Sequence, residues 1–198
     1  MMFSRLLVFC VQIFLGAYPR WVGSHPTGRQ RIYFANHASH VDTVALWSAL
    51  PPRLRRRTRP VAARDYWGSG IRNFVARNGF NAVLIERNRE QCEGDPLQPL
   101  YDALADKSSL ILFPEGTRNS EPQPLPFKSG LFHLAQRFPE VELIPVYLDN
   151  ARRSMPKGSL LPVPLICTVR FGPALPRIDG EEKQDFLQRA RDAVMALA

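Results

Sequence analysis

The residues of this chain best suited to chemistry lie in two short stretches, Asn36-His37-Ala38-Ser39-His40-Val41-Asp42 and Phe113-Pro114-Glu115-Gly116-Thr117-Arg118. The first supplies an imidazole with a carboxylate five positions later. Taking a proton from an alcohol as it attacks a thioester needs a base titrating near neutrality, and imidazole, with a reference pKa of ~6.5, does so unperturbed. His37 is therefore the candidate base. Asp42, one helical turn or so further on, is near enough to accept the other ring N–H, fix the tautomer and stabilise the imidazolium. Such assistance contributes ~10² to 10⁴ in rate. His40 is a rival base, but it stands two residues before Asp42 and would point to a different face of a helix. A competing structural reading makes Asp42 part of a Ser39-x-x-Asp capping box, and one carboxylate is not expected to satisfy both roles fully.

In the second stretch, Pro114 and Gly116 shape a turn that brings backbone N–H groups toward an anion, and Arg118 can grip a phosphate through two parallel hydrogen bonds. Glu115 is a poor phosphate ligand; it is expected to orient Arg118 or to accept a hydrogen bond from a polyol hydroxyl. Thr117 can add a neutral contact. The plain alternative is an ordinary strand-to-loop turn carrying a surface ion pair.

These loops need a scaffold, and alternating apolar runs and helical stretches punctuated by prolines read as α/β. Strands are expected at Arg31 to Ala35, Pro60 to Ala63, Ala82 to Ile85, Ser109 to Phe113, Val141 to Leu148 and Leu165 to Phe171. Helices are expected at Ser39 to Leu50, Leu97 to Lys107, Ser129 to Phe138 and Glu181 to Leu197, with a weaker one over Asp65 to Arg77 and a turn at Asn78-Gly79. The expected fold is a single α/β domain with a mostly parallel or mixed central sheet flanked by helices. In such sheets ligands sit beyond the carboxyl ends of the strands, where both informative stretches fall.

At 198 residues the chain suits one domain with a sizeable core, and 45% apolar with 22% charged residues argues against general disorder. The net charge of +8 implies a field that draws phosphate-rich surfaces or acidic proteins. Basic residues concentrate in Arg53 to Arg59, where flanking prolines argue for a loop over a helix. No aromatic residue is interleaved with these arginines and no zinc-finger or RNA-recognition signature accompanies them, so nucleic acid is set aside in favour of lipid phosphates or an acidic partner. Cys10, Cys92 and Cys167 are far apart and odd in number, which suggests a reducing compartment and neither zinc nor a redox motif. The near-continuous apolar run Leu6 to Tyr18 is short for a bilayer span. Residues 1–22 are expected to form an apolar N-terminal helix lying in a membrane interface, with Tyr18, Arg20 and Trp21 at headgroup level, and 23–198 the catalytic domain. A buried core helix and a secretory signal peptide are the alternatives.

Taken together, the blocks resemble the glycerolipid acyltransferase family, the His-x4-Asp acyltransferases that include the 1-acylglycerol-3-phosphate acyltransferases. His37 to Asp42, preceded by Asn36, resembles one family block and Phe113 to Arg118 matches another outright. Gly79 to Arg87 and Ile144-Pro145-Val146 resemble two more in the same order, and Phe127-Lys128-Ser129-Gly130 resembles the usual connection between the last two. Asn81, where an apolar residue is typical, and Asn119, where serine is common, are departures. The resemblance implies transfer of a fatty acyl group from acyl-CoA or acyl-carrier protein to the hydroxyl of a glycerophosphate or lysophospholipid. It implies His37 as base and Asp42 as its partner, with Arg87, Glu115, Gly116 and Arg118 on the acceptor and the two arginines on its phosphate. No metal or cofactor beyond the acyl donor is implied, and the setting expected is peripheral, at the cytoplasmic face of a membrane. The arginines from Arg53 to Arg59 are a candidate dock for an acidic acyl-carrier protein. Acyl transfer to an aminolipid or glycolipid, thioester hydrolysis and non-catalytic lipid binding are the rival functions.

Overall fold

The computed structural model describes residues 17–39, 41–86, 94–119, 121, 123–149 and 167–198. Seven strands, β1 (Tyr18–Trp21), β2 (Arg31–Ala35), β3 (Thr58–Ala63), β4 (Val83–Ile85), β5 (Ser109–Leu112), β6 (Glu142–Asp149) and β7 (Thr168–Phe171), make one mixed sheet in the order β1-β7-β6-β2-β5-β3-β4. From β6 across to β4 every pairing is parallel; β7 runs antiparallel to β6, and β1 parallel to β7. The helices described are α1 (Asp42–Ala49), α2 (Pro52–Arg55), α3 (Arg64–Trp67), α4 (Gly70–Phe74), α5 (Gln98–Ala105), α6 (Gly130–Arg137) and α7 (Lys183–Met195).

The central strands are apolar without interruption because both faces of the sheet are covered. The two-residue period splits them cleanly: Tyr33 and Ala35 of β2 and Ile111 beside Phe113 at the end of β5 join the core layer around α1. Ile32, Phe34, Leu110 and Leu112 join the opposite layer with α5, α6 and α7. Arg31, which opens β2, is buried yet satisfied: its Nε donates to Glu142 Oε2 (2.8 Å) and its Nη1 to His25 O (2.7 Å). Pro145 is tolerated in an interior strand because β7 pairs with β6 only from Val146 onward. Its missing N–H therefore faces past the end of that ladder, where its carbonyl accepts Gly172 N–H (2.9 Å).

Several expectations are corrected. The weak helix over Asp65 to Arg77 is instead α3, α4 and a π turn over Val75–Gly79, broken at Gly68 and at Gly70, whose φ is +58°. Asn81 then takes a left-handed φ of +52° and accepts Arg59 Nε on its carbonyl (2.9 Å); asparagine tolerates this conformation where a bulky apolar residue does not, which accounts for its presence there. The arginine-rich stretch is not all loop, since Pro52 occupies the first position of the single-turn α2. Of the expected N-terminal helix, residues 1–16 lie outside the described residues. Its end is not helical: Tyr18–Trp21 is an edge strand of the main sheet, and Trp21 stacks on Phe171 with centroids 4.1 Å apart. Among the described residues no helix is long and apolar enough to cross a membrane.

Candidate active site

β2 and β5 are adjacent and parallel, so the loops that follow them leave the same edge of the sheet about 5 Å apart. Backbone bonds then tie one loop to the other. His37 N–H donates to Glu115 Oε1 (2.7 Å), and Asn119 N–H donates to His37 O (2.8 Å). The His37 ring stacks on Phe113, centroids 4.3 Å apart and planes 22° from parallel. Residue parity explains this contact, since Phe113 emerges from β5 on the α1 face of the sheet.

His37 Nδ1 lies 2.8 Å from Asp42 Oδ2, which leaves Nε2 for a substrate. The same Asp42 oxygen accepts Ala38 N–H and Ser39 N–H, each at 2.7 Å. A single carboxylate oxygen thus holds both the candidate base and the loop that leads into α1. The capping box itself does not form, because α1 begins at Asp42 and not three residues earlier, and Ser39 Oγ accepts Val41 N–H (3.4 Å). Asp42 is fully buried, and its Oδ1 has no hydrogen-bond partner among the described residues.

Glu115 departs from its expected role. It is buried at 2% exposure, with Oε1 taking His37 N–H and Oε2 taking Leu125 N–H (2.8 Å), so it braces the loops from inside. Burial raises its pKa, partly offset by those two N–H groups and by His37. Gly116 holds a φ of +70°, a conformation that favours glycine. It presents Thr117 and Arg118 to solvent at the wall of a cavity of about 310 Å³ that also contains His37. Arg87 and His40 lie outside the described residues.

Sequence reasoning missed the contributions of four residues. The Asn36 side chain clamps the end of β2 to β6, donating to Leu148 O (3.2 Å) and accepting Leu148 N–H (2.8 Å). An amide directly before the candidate base was the available signal. Tyr66 and Trp67 wall the His37 cavity, and nothing in their spacing announces it. Lys128 stands over Gly116 and lines a second cavity of about 400 Å³. That second cavity, walled by Leu97, Leu100, Tyr101 and Leu131, meets the first at Ile85, Leu112, Phe113 and Gly116.

Two other groups noted in the sequence lie apart from the His37–Asp42 pair. The Cys167 thiol is buried and pushed up to about 12 by burial and then by the charges of Asp42 and Asp149, so it is no thiolate nucleophile near neutrality. Arg53, Arg56 and Arg57 are exposed at the amino-terminal end of β3, whereas the cavity lies at its carboxyl end. A strand of six residues separates the two ends by roughly 20 Å, so those arginines stand away from the cavity itself. Arg55 is structural: it donates to Leu50 O (2.9 Å from Nη2) and covers the Trp47 ring.

The 1-acyl-sn-glycerol-3-phosphate acyltransferase of Cocos nucifera is 29% identical over 166 residues, which cover 82% of this chain and 51% of its own length. The human 1-acyl-sn-glycerol-3-phosphate acyltransferase alpha is 26% identical over 178 residues, covering 87% and 60%. The chain thus spans about half the length of the curated relatives it matches. The crystal structure of PlsC from Thermotoga maritima, a 1-acyl-sn-glycerophosphate acyltransferase, shares the fold with a TM-score of 0.72 at 19% identity, over 98% of this chain and 79% of that one. The sequence profile of the Acyltransferase family matches residues 23–149, a span that runs from before the His37 loop through the Phe113 loop to the end of β6, and the chain belongs to that family.

Proposed function

We propose that the chain transfers a fatty acyl group from a thioester donor, acyl-CoA or acyl-carrier protein, to the hydroxyl of a lysophospholipid or glycerophosphate. The foremost acceptor is 1-acylglycerol-3-phosphate, with phosphatidic acid as product. The observation that carries this reading is the His37–Asp42 contact of 2.8 Å opening on a cavity that Arg118 also lines. In the reaction, His37 Nε2 takes the hydroxyl proton as the acceptor oxygen bonds to the thioester carbonyl carbon. The C–S bond then breaks, the sulfur leaves with its electron pair, and the imidazolium returns the proton to it. Asp42 holds the ring and carries the positive charge through the step. Arg118, with Arg87, binds the acceptor's phosphate, while the Gly116 turn and Thr117 shape the floor beneath it. No cofactor beyond the acyl donor is invoked. The net charge of +8 supports a peripheral position on an anionic membrane surface, at its cytoplasmic face.

The test is incubation of the purified protein with 1-acylglycerol-3-phosphate and labelled acyl-CoA or acyl-carrier protein. Phosphatidic acid is expected from wild type, with a loss of at least ~10² in kcat for His37→Ala. Arg118→Ala is expected to raise the acceptor KM while leaving the donor KM alone. Absence of product from wild type, or full turnover by His37→Ala, would refute the proposal.

A further inference from the structure

We propose that Lys128 is a phosphate-binding residue of the acceptor site, reaching the anion from the side of the Gly116 turn opposite the His37 cavity. The inference rests on the reading that the acceptor carries a phosphate. Two contacts fix where Lys128 lies. Its backbone N–H donates to Pro114 O (2.8 Å), which pins it against the turn. Its side chain then runs directly over Gly116: a Cβ on that glycine would meet Lys128 Cε and Nζ at 2.8 Å and Cδ at 2.9 Å. The missing side chain at position 116 is the space the lysine stem occupies.

Gly116 is also part of the wall shared by the two cavities. The ammonium therefore stands against that shared wall from the side of the second cavity. No carboxylate among the described residues pairs with it; Glu115, the acid of the same turn, has both oxygens occupied by backbone N–H groups. The chemistry calls for such a charge. A phosphate monoester carries about −1.5 to −2 at neutral pH, more than a single guanidinium neutralises. An ammonium on a flexible stem can follow the phosphate as acceptors of different size bind, whereas the planar guanidinium fixes its orientation.

The experiment measures initial rates for wild type, Lys128→Met and Lys128→Arg, varying 1-acylglycerol-3-phosphate and the acyl donor separately, at low and high salt. Lys128→Met is expected to raise the acceptor KM roughly 10-fold, with donor KM and melting temperature unchanged. Lys128→Arg should recover most of that loss. The wild-type acceptor KM should rise more steeply with salt than that of Lys128→Met. An unchanged acceptor KM in Lys128→Met overturns the inference. So does a rise confined to the donor KM, which would put the lysine on the donor's phosphates, or a fall in kcat alone with a lowered melting temperature, which would make it structural. If wild type forms no phosphatidic acid, the functional reading falls and takes this inference with it.

Discussion

Replacing Asp42 by asparagine is the sharpest probe of the proposed site, because the same oxygen holds the candidate base and the loop. When His37 takes a proton, Asp42 faces an imidazolium across the 2.8 Å contact. With charge centres about 4 Å apart and an effective dielectric of about 20, that pairing is worth about 4 kcal/mol. Its loss in Asp42→Asn corresponds to ~10³ in rate. The fold responds separately. Three N–H groups converge on Oδ2, and each bond weakens by about 1 kcal/mol when the acceptor becomes neutral. The new NH₂ would occupy the buried position of Oδ1, which has no hydrogen-bond partner among the described residues. A destabilisation of about 3 kcal/mol follows, or ~6 to 12 °C in Tm for a chain of this size. The assay is kcat/KM for phosphatidic acid formation at a temperature where circular dichroism shows the variant folded. A double variant with His37→Ala should be no slower than His37→Ala alone, since the pair acts as a unit. If folded Asp42→Asn keeps rates within tenfold of wild type, the assignment of His37 as a base oriented by Asp42 is wrong.

Glu115→Gln is expected to destabilise the protein by ~1 to 3 kcal/mol, because an amide can accept only one of the two N–H groups that Glu115 serves. The Glu115 pKa is raised in the fold, so the folded state holds this proton more tightly than the unfolded state does. The stability it contributes is fully present below the ordinary glutamate value of ~4.3 and is lost as pH rises through the raised value. The stability advantage of wild type over Glu115→Gln should therefore shrink across that window in urea titrations, and a growing advantage would contradict the buried placement. Gly116→Ala forces an alanine to a φ of +70° and pushes the Lys128 stem aside. A loss of ~1 to 3 kcal/mol and a raised acceptor KM are expected from thermal melts and initial rates, and a variant indistinguishable from wild type would count against the geometry of the turn.

The α/β class, the strand positions and the pairing of His37 with Asp42 were legible because they are local. A continuous apolar run marks a doubly covered strand wherever it sits, and a His and an Asp five positions apart around a helix start meet without help from elsewhere. Elements under weak local signals were not legible. Tyr18–Trp21 closes an apolar run that reads as helix, yet it pairs with β7, about 150 residues later in the chain. Its conformation is set by a partner no window of sequence contains.

The sequence by itself determined which groups are the candidates for chemistry, since an imidazole with a carboxylate five positions on and a guanidinium beside a Pro/Gly turn can be read from residue type and spacing. Only the tertiary structure decided how they work together. Adjacency of β2 and β5 brings the two loops to one edge, turns Glu115 inward as a brace, and lays Lys128 across Gly116. It also sends the basic stretch to the far end of β3. The physical reason is that strand order and side-chain facing are consequences of burying both faces of the sheet at once, a condition on the whole chain that no single segment carries.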